Sequence, residues 1–318
     1  MVIYVSGRLN VDYILTLQTP LIRGEKAVAA KLIVDYGGSG GNVATAIVRF
    51  IKRPRSVRFV GCVGSDTHGK NYVELLKNEG IDTTLIRTVV GTQTGLAIVL
   101  IEPSGVATII SYRGANEVCN IDLGNPNDME LLVLTNPPIE LAYKLIDHAI
   151  KNSSSIVIDP SRGWSTINQL EILLEAKLCI LAPNENELMW LTGTHDLKHA
   201  IFTTLRVLPS CKLAIKRGGL GVLYVDPDQS IAIEIPALSI SEIGLRILST
   251  AGCGDTFTGV LSAALYEGWN LVDALRLAVV AAGIKASRLR TRDIPHREEV
   301  VQLYERVKTK LGIHERKL

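Results

Sequence analysis

Residues 249–257 read Ser-Thr-Ala-Gly-Cys-Gly-Asp-Thr-Phe, so that an acid, Asp255, follows two closely spaced glycines. The apolar residues after it have the spacing of a buried helix face: Phe257, Val260, Leu261, Ala264 and Leu265. The glycines therefore lie where a helix begins, and the free backbone N–H groups at such a position bind anions. Because an acid repels an anion, Asp255 is better explained as a base that takes a proton from a group attacking that anion.

The composition is that of a large protein without a strong net charge. The chain has 318 residues, 47% of them hydrophobic, which is ample for residues 1–318 to form one large α/β domain or one domain with a small appendage. Its 34 Lys and Arg nearly balance 32 Asp and Glu, which disfavours nucleic acid or an anionic membrane as the partner. The sequence contains no run of 18 apolar residues, so no membrane span is predicted. Any binding of an anion must therefore be local.

The five cysteines are scattered without any paired spacing, at positions 62, 119, 179, 211 and 253. This arrangement favours reduced thiols over a disulfide framework or a zinc site. The beginning of the chain also lacks the pattern of a secretory signal. Together these features predict a cytoplasmic protein.

Short runs of β-branched residues alternate with helical patterns along most of the chain. The predicted strands are Val2–Ser6, Val57–Val63, Leu131–Thr135, Ser155–Asp159, Cys179–Ala182 and Leu213–Lys216. The predicted helices are Asn42–Phe50, Lys70–Asn78, Ile139–Lys151, Glu185–Leu191, Ala200–Val207, Gly254–Tyr266 and Leu271–Arg288. This alternation predicts a mostly parallel sheet with helices on both faces, and ligands of such sheets bind at the carboxyl ends of the strands.

Four further strands are not separated by helices: Asp12–Leu17, Ala29–Asp35, Leu96–Ile101 and Ala107–Tyr112. The last two are joined by Glu102–Gly105, which has the composition of a hairpin turn. We predict that about residues 12–35 and 94–113 form a small β-sheet lid beside the main sheet.

A second glycine-rich segment, Gly37–Asn42, precedes a helical pattern. Its glycines allow a ligand to approach the backbone, and Asn42 can offer its amide to a hydroxyl group. The dinucleotide-binding fingerprint is not met, because the sixth position counted from Gly38 is Val43. The alternative interpretation is a tight, flexible turn.

The segment Gly64–Asn71 nearly matches a phosphate-binding P-loop. Its last position must carry a hydroxyl group for magnesium, and here it is Asn71. A turn followed by a helix cap is therefore the favoured interpretation.

Three shorter patterns lie at predicted strand ends. Asn184–Glu187 either caps a helix or places the Glu187 carboxylate near hydrated magnesium. Lys216–Gly221 is a basic, glycine-rich turn that either carries a nucleotide or forms a hairpin. Asn10 and Asp12 either bind hydroxyl groups of a substrate or form a strand-end turn.

Together, these motifs resemble the ribokinase family, the PfkB-type carbohydrate and nucleoside kinases. The resemblance covers nearly the whole chain and keeps the order of the family's motifs. The matching segments are Asn10–Asp12, Gly37–Asn42, Val63–Gly69, Gly114–Asn116, Asn184–Glu187, Lys216–Gly221 and Gly252–Asp255. It implies a three-layer α/β sandwich with a central, mostly parallel sheet and a small β-sheet lid.

The resemblance also implies transfer of the terminal phosphoryl group of a nucleotide, usually ATP, to a hydroxyl group of a sugar or nucleoside. Asp255 would be the general base, and the N–H groups around Gly252, Cys253 and Gly254 would hold the phosphoryl oxygens. On the donor side, the implied residues are Asn184, Glu187 as the Mg²⁺ residue acting through water, Lys216, Gly218 and Gly221. On the acceptor side, they are Asn10, Asp12, Gly37, Gly38, Asn42, Asn136 and Arg113. The lid would close over the acceptor and could pair in a homodimer.

Several residues depart from the family pattern and limit the specificity that can be predicted. Ser249 stands where many members have an Asp that feeds a monovalent-cation site, and a hydroxyl is a poorer ligand, which disfavours potassium activation. Val279 lies near the expected adenine, where ribokinases often have a polar residue. The identity of the donor therefore stays open among ATP, another nucleoside triphosphate and ADP. Ser39 and Asn136 replace a Lys and a Glu that contact ribose in ribokinases, which favours a nucleoside or another sugar as the acceptor.

Two alternatives remain open at this point. Arg8, Arg113 and Arg162 lie toward the expected acceptor side, where they would suit an acidic or phosphorylated sugar such as ketodeoxygluconate, or else form surface or lid charge. A non-catalytic sugar or nucleotide sensor on the same fold is the second alternative. A nicotinamide-dependent dehydrogenase is disfavoured by the missing fingerprint.

Overall fold

The computed structural model describes residues 2–52, 56–124, 127–161 and 163–317. The strands are β1 (Val2–Gly7), β2 (Asn10–Leu17), β3 (Ala29–Gly37), β4 (Val57–Gly64), β5 (Asp82–Val89), β6 (Gly95–Ile101), β7 (Ala107–Tyr112), β8 (Met129–Thr135), β9 (Ser155–Asp159), β10 (Leu178–Leu181), β11 (Lys212–Lys216), β12 (Val222–Asp226), β13 (Ile231–Ile235) and β14 (His314–Lys317). The α-helices are α1 (Ser39–Phe50), α2 (Thr67–Asn78), α3 (Ile139–Lys151), α4 (Glu185–Thr192), α5 (Leu197–Val207), α6 (Cys253–Tyr266), α7 (Leu271–Ala286) and α8 (Arg297–Val307).

The main sheet has the strand order β14-β13-β12-β11-β10-β9-β8-β1-β4-β5. The strands from β5 to β11 run parallel, and β12, β13 and β14 add antiparallel pairs at one edge. The predicted mostly parallel sheet is therefore confirmed. The order places the carboxyl ends of β1, β8, β9, β10 and β11 side by side.

Two hydrophobic clusters, one on each face of this sheet, explain why its strands are buried. Alternate residues of β1 divide between them: Ile3 and Val5 belong to one cluster, and Tyr4 belongs to the other. The first cluster includes apolar residues of α1, α6, α7 and α8, and the second includes those of α3, α4 and α5. Helices thus cover both faces of the sheet, which gives the expected three layers.

The small sheet has the strand order β3-β2-β6-β7, with β2 and β6 parallel and the outer pairs antiparallel. It begins at Asn10, two residues before the predicted start at Asp12. On its inner face, Ile14, Val99 and Ile101 are buried in a cluster that also contains Ala251 from the loop before α6. This contact places the small sheet against the segment that begins at Ser249.

Several elements were not predicted: strands β5, β13 and β14 at the two ends of the main sheet, helix α8, and a 3₁₀ segment over Ile167–Glu175. The near P-loop is a helix cap, as favoured above: Asp66 Oδ1 accepts the Gly69 N–H at 2.7 Å at the beginning of α2. Within the described residues, no helix is both long and apolar enough to cross a membrane.

The prediction of reduced cysteines is wrong for four of the five. Cys62 is bonded to Cys119 and Cys179 to Cys211, while Cys253 is a free thiol. The bonded pairs are 57 and 32 residues apart, so no local spacing announces them. The second pair joins β10 to the residue just before β11, its parallel neighbour, and this proximity exists only in the folded sheet.

Candidate active site

A cavity of about 1230 Å³ lies at the carboxyl ends of the central strands. Each of five adjacent strands is followed by polar residues that line it: Arg8 and Asn10 after β1, Thr135 and Asn136 after β8, Asp159 and Ser161 at the end of β9, Asn184 and Glu187 after β10, and Lys216 at the end of β11. The loop from Thr250 to Gly254 and the inner face of the small sheet complete the lining. Ligands of parallel α/β sheets bind at this edge.

The loop before α6 is held in a conformation that favours glycine. Gly252 has φ 81°, and a Cβ there would collide with the carbonyl oxygen of Thr291. Helix α6 begins directly afterwards, so the N–H groups of Gly254 and Asp255 in its first turn have no intrahelical acceptor. The Cys253 N–H donates instead to the Thr250 carbonyl at 3.3 Å.

Asp255 lines the cavity in the first turn of α6. Its Oδ2 accepts a hydrogen bond from Asn42 Nδ2 at 2.7 Å. Burial raises the pKa of Asp255 to about 6, while the Asn42 amide and Lys216 favour the charged carboxylate. Such a carboxylate is ionised near neutral pH and is still basic enough to accept a proton.

Asp12 is a second buried carboxylate in the same cavity. Its Oδ2 accepts from the Thr291 hydroxyl at 2.5 Å, and its Oδ1 has no hydrogen-bond partner among the described residues. Burial, together with the charges of Asp35 and Asp255, raises the pKa of Asp12 to about 7 against the opposing effect of the Thr291 hydrogen bond. The buried Asn42 Oδ1 is likewise without a partner within the described part of the chain. Unpaired buried acceptors are costly unless a ligand supplies donors, which suits a ligand rich in hydroxyl groups.

Asn10 and Gly38 form the adjoining wall of the cavity. The Asn116 side chain fixes this wall, because its Nδ2 donates to Asn10 Oδ1 at 3.1 Å and its Oδ1 accepts the Leu9 N–H at 2.9 Å. Gly38 has φ 84°, and a Cβ there would lie 2.6 Å from the carbonyl oxygen of Arg8. Only glycine lets the chain pass this close to the end of β1.

Asn184 and Glu187 form a reciprocal capping box at the beginning of α4. The Glu187 N–H donates to Asn184 Oδ1, and the Asn184 N–H donates to Glu187 Oε2, both at 2.8 Å. The motif therefore caps a helix, which was one of the two interpretations of its sequence. Both residues also line the cavity, so the capping box fixes the Glu187 carboxylate at its edge.

Lys216 brings a positive charge to the mouth of α6. Its Nζ forms an ion pair with Asp159 and lies 3.5 Å from the position that a Cβ on Gly254 would take. Burial acts to lower the pKa of Lys216, but Asp159 and Glu187 outweigh it and hold the pKa above its usual value. The ammonium therefore remains charged beside the free N–H groups of α6, and the two together favour an anion there.

A metal would find few ligands here, because the described residues contain no group of three or more His, Cys, Asp or Glu side chains placed to hold an ion. Magnesium fits such a site, since it usually keeps several waters and is held by one or two carboxylates and the phosphates of a substrate. Glu187 lines this edge of the cavity with a carboxylate that the capping box holds in place.

The donor-side glycines also line the cavity, together with Val279 and Gly283 of α7. Gly218 and Gly221 both have positive φ, of 55° and 95°, around a short 3₁₀ turn. Apolar residues of the 238–247 segment complete this end of the lining, which is therefore largely apolar.

The structure does not bring every predicted residue to the cavity. Arg113 pairs with Glu117 at 2.8 Å in a half-exposed position and does not line the cavity. Gly37 does not line the cavity either, and its carbonyl oxygen accepts a hydrogen bond from the Tyr72 hydroxyl at 2.6 Å. Asn136 does line the cavity, with a positive φ of 62°. Arg162 lies outside the described residues.

Two side chains of the site were missed by sequence reasoning. Thr291 binds Asp12 from a loop after α7 that carries no recognisable pattern. Asp159 ends a strand that was predicted, and it accepts from both Lys216 and the Thr258 hydroxyl. A carboxylate at a strand's carboxyl end was the signal that could have identified it.

Comparisons with known proteins agree with this geometry. The sequence pattern of the pfkB family of carbohydrate kinases matches residues 3–297. Ribokinase from Haemophilus influenzae is 28% identical over 315 residues, covering 95% of this chain and 97% of that protein. The crystal structure of Thermotoga maritima ribokinase has a TM-score of 0.79 at 27% identity and covers 96% of this chain and 99% of its own.

A further solved structure, Arabidopsis thaliana ribokinase complexed with ribose and ATP, has a TM-score of 0.75 at 25% identity, with 95% of this chain and 98% of that chain covered. These similarities extend along nearly the whole sequence, and the TM-scores show that this chain, with its large, mostly parallel sheet and its smaller sheet, has the fold of the solved ribokinases. The chain belongs to the pfkB family of carbohydrate kinases and is a phosphotransferase that acts on a hydroxyl group.

Proposed function

We propose that this protein transfers the terminal phosphoryl group of a nucleotide to a hydroxyl group of a sugar or nucleoside, with Asp255 as the general base. The observation that carries the proposal is the Asn42–Asp255 hydrogen bond at the mouth of α6. It places a carboxylate with a raised pKa beside N–H groups that lack intrahelical acceptors. A base next to an anion site is what transfer to a hydroxyl requires.

In the proposed step, the acceptor hydroxyl gives its proton to Asp255 as its oxygen attacks the terminal phosphorus. The bond from that phosphorus to the bridging oxygen breaks, and the nucleoside diphosphate leaves with the bonding electrons. The N–H groups of Gly254 and Asp255 and the Lys216 ammonium stabilise the phosphoryl oxygens during transfer. Asp12 and Asn42 orient the acceptor through their unpaired oxygens.

ATP is the proposed donor, because a related ribokinase structure holds ATP together with ribose. Gly218, Gly221 and Val279 would line the nucleotide, and Asn184 and Glu187 would hold hydrated Mg²⁺ at the phosphates. When bound, Mg²⁺ offsets the negative charge of the phosphates. The capping box keeps Glu187 ready for this role before the donor arrives.

Replacing Asp255 tests the base directly. With Mg²⁺ and a panel of nucleotides, the protein should phosphorylate at least one of ribose, fructose, adenosine, cytidine, inosine, ribose 1-phosphate or ketodeoxygluconate. Asp255→Asn should lower kcat for that acceptor by at least about 100-fold, because the amide cannot accept the proton. Initial rates measured with a coupled assay for the released diphosphate provide the comparison.

The matched control is Asp147→Asn, which changes an exposed carboxylate of α3 that pairs with Lys151. This variant should keep the parent activity. Inactivity with every donor and acceptor, or an Asp255→Asn variant as active as the parent, would overturn the proposal. Binding of an acceptor without any turnover would favour the non-catalytic sensor.

Arg8 favours a second candidate, an acceptor that carries a carboxylate or phosphate. Its guanidinium lines the cavity and donates to Asn136 Oδ1 at 3.2 Å. Burial and the nearby charge of Arg113 lower the pKa of Arg8, while the charge of Glu117, which pairs with Arg113, acts in the opposite direction. No carboxylate within the described ranges forms an ion pair with Arg8, and a half-buried guanidinium without such a pair suits an anionic group on the substrate.

The variant Arg8→Met tests this candidate, because it keeps an unbranched, largely aliphatic side chain and removes its charge. For an acidic acceptor, KM should rise by about 10-fold or more, since a hydrogen bond to a charged group is lost. For the matched neutral acceptor, KM should change much less. An equal change for both acceptors would remove the argument for an acidic substrate.

We also propose that residues 1–318 act as one kinase domain whose small sheet closes over the acceptor and pairs with a second copy. The outer face of this sheet is apolar: one row across the four strands consists of Val34, Tyr13, Ile98 and Ile110. Val34 and Ile110 are 49% and 57% exposed. An exposed apolar face of several strands is typical of a protein interface.

Light scattering after size-exclusion chromatography tests the pairing. The parent should have a mass near twice 34.6 kDa, and Ile110→Glu should reduce it to that of a single chain because a charge would be buried at the interface. Phe202→Glu is the control, since Phe202 is an equally exposed apolar residue on α5. A single-chain mass for the parent would contradict the proposal.

A further inference from the structure

Lys285 lies in the last turn of α7, and its side chain is completely buried. Its Nζ donates to the carbonyl oxygen of Arg288 at 3.3 Å, and no carboxylate of the described residues forms an ion pair with it. Burial lowers the pKa of Lys285, while the nearby Cys253, Asp293 and Asp255 act in the opposite direction. Burying an ammonium without a paired anion is costly, so its position calls for an explanation.

The aliphatic part of the Lys285 side chain lies behind the turn that leads into α6. The Lys285 Cε is 3.4 Å from the position that a Cβ on Gly252 would take. The N–H groups of Leu248 and Ser249 both donate to the Ala286 carbonyl, at 2.8 and 3.2 Å. The chain from Leu248 to Gly252 is thereby folded over the end of α7 and over the Lys285 side chain.

A positive charge is favoured at this place. The carbonyl groups at the end of α7 carry partial negative charge, and a cation in the last turn of a helix interacts well with them. On the other side of the turn, the residues at the beginning of α6, whose first N–H groups have no intrahelical acceptor, line the cavity. A cation behind the turn therefore attracts its carbonyl oxygens and helps to keep its N–H groups directed at the phosphoryl group.

The neighbouring side chain does not provide what a bound metal cation would require. Ser249 is completely buried and uncharged, and its hydroxyl oxygen already accepts the Ala251 N–H at 3.2 Å. A carboxylate would be a stronger ligand for a cation from solution. The chain carries its own positive charge at this turn instead.

We propose that the Lys285 ammonium is a tethered cation that positions the Ser249–Gly252 turn for phosphoryl transfer, so that the enzyme needs no monovalent metal cation. The inference rests on the proposed kinase function. Lys285 does not line the cavity and acts through the turn, so it is a positioning residue.

The test compares the parent with Lys285→Met, Lys285→Arg and Lys285→Ala at constant ionic strength. The parent should have the same kcat in potassium, sodium and tetramethylammonium buffers. Lys285→Met should lose about 10-fold or more in kcat with little change in the KM of the acceptor, and Lys285→Arg should retain most of the activity. Lys285→Ala should be inactive in tetramethylammonium and recover saturably with potassium, ammonium or methylammonium ions, which fit the vacated space.

Rescue by small cations separates this role from a purely structural one, which added cations would not restore. Lys151→Ala, which changes an exposed lysine of α3, is the control for general salt effects. A parent that requires potassium, or a folded Lys285→Ala whose low activity does not respond to any cation, would overturn the inference. If the parent transfers no phosphoryl group at all, the kinase proposal fails first. In that case, the affinity for ATP is measured by calorimetry in the same series of cations. An affinity of Lys285→Ala that does not respond to any cation would then overturn the inference that Lys285 acts as a tethered cation.

Discussion

The hydrogen bond from Asn42 Nδ2 to Asp255 Oδ2 joins the beginnings of two helices whose residues are 213 positions apart. Helix α1 follows directly from the small sheet, and α6 follows the turn at Ser249. This one contact therefore ties the residues that would orient the acceptor to the residue that would take its proton. The α1 and α6 helices pack closely along their length, and this packing keeps the two side chains at a fixed distance.

The electrostatic balance of the cavity follows from this arrangement. Two buried carboxylates, Asp12 and Asp255, line the cavity in which phosphates must bind, burial raises the pKa of both, and the charge of Asp255 adds to the rise at Asp12. Such an arrangement is stable only if positive charge is supplied close by. Lys216 supplies it in front of α6, and Lys285 supplies it behind the turn, while the first-turn N–H groups add partial charge between them.

The sequence predicted the parts of the site that are local in the chain. A motif at a strand end, such as Asn184–Glu187 or Lys216–Gly221, can be recognised from local sequence because its residue types are typical of a helix cap or a turn. The alternation of strands and helices then places all of these ends at one edge of the sheet, as the structure confirms. The small sheet was likewise recognisable from strands that no helix separates.

What could not be predicted depends on contacts between distant segments. Thr291 and Lys285 lie in or near a loop without a pattern, and only the fold brings them to Asp12 and Gly252. The disulfides were not predicted for the same reason. Cys179 and Cys211, for example, lie side by side only because β10 and β11 are neighbours in the folded sheet. Arg113 shows the opposite failure: it lies close in sequence to a site motif, yet its side chain turns to Glu117.

The most direct test of the central contact is the pH dependence of the transfer step in single turnovers, measured for the parent and for Asn42→Ala. Since the base must be deprotonated, the rate of the parent should fall as the pH decreases through about 6, the pKa that burial gives Asp255. Loss of the Asn42 amide destabilises the charged carboxylate, so the fall should move to higher pH by about one unit. A rate that is independent of pH between about 5 and 8, or a fall at the same pH in both proteins, would contradict the assignment of Asp255 as the base.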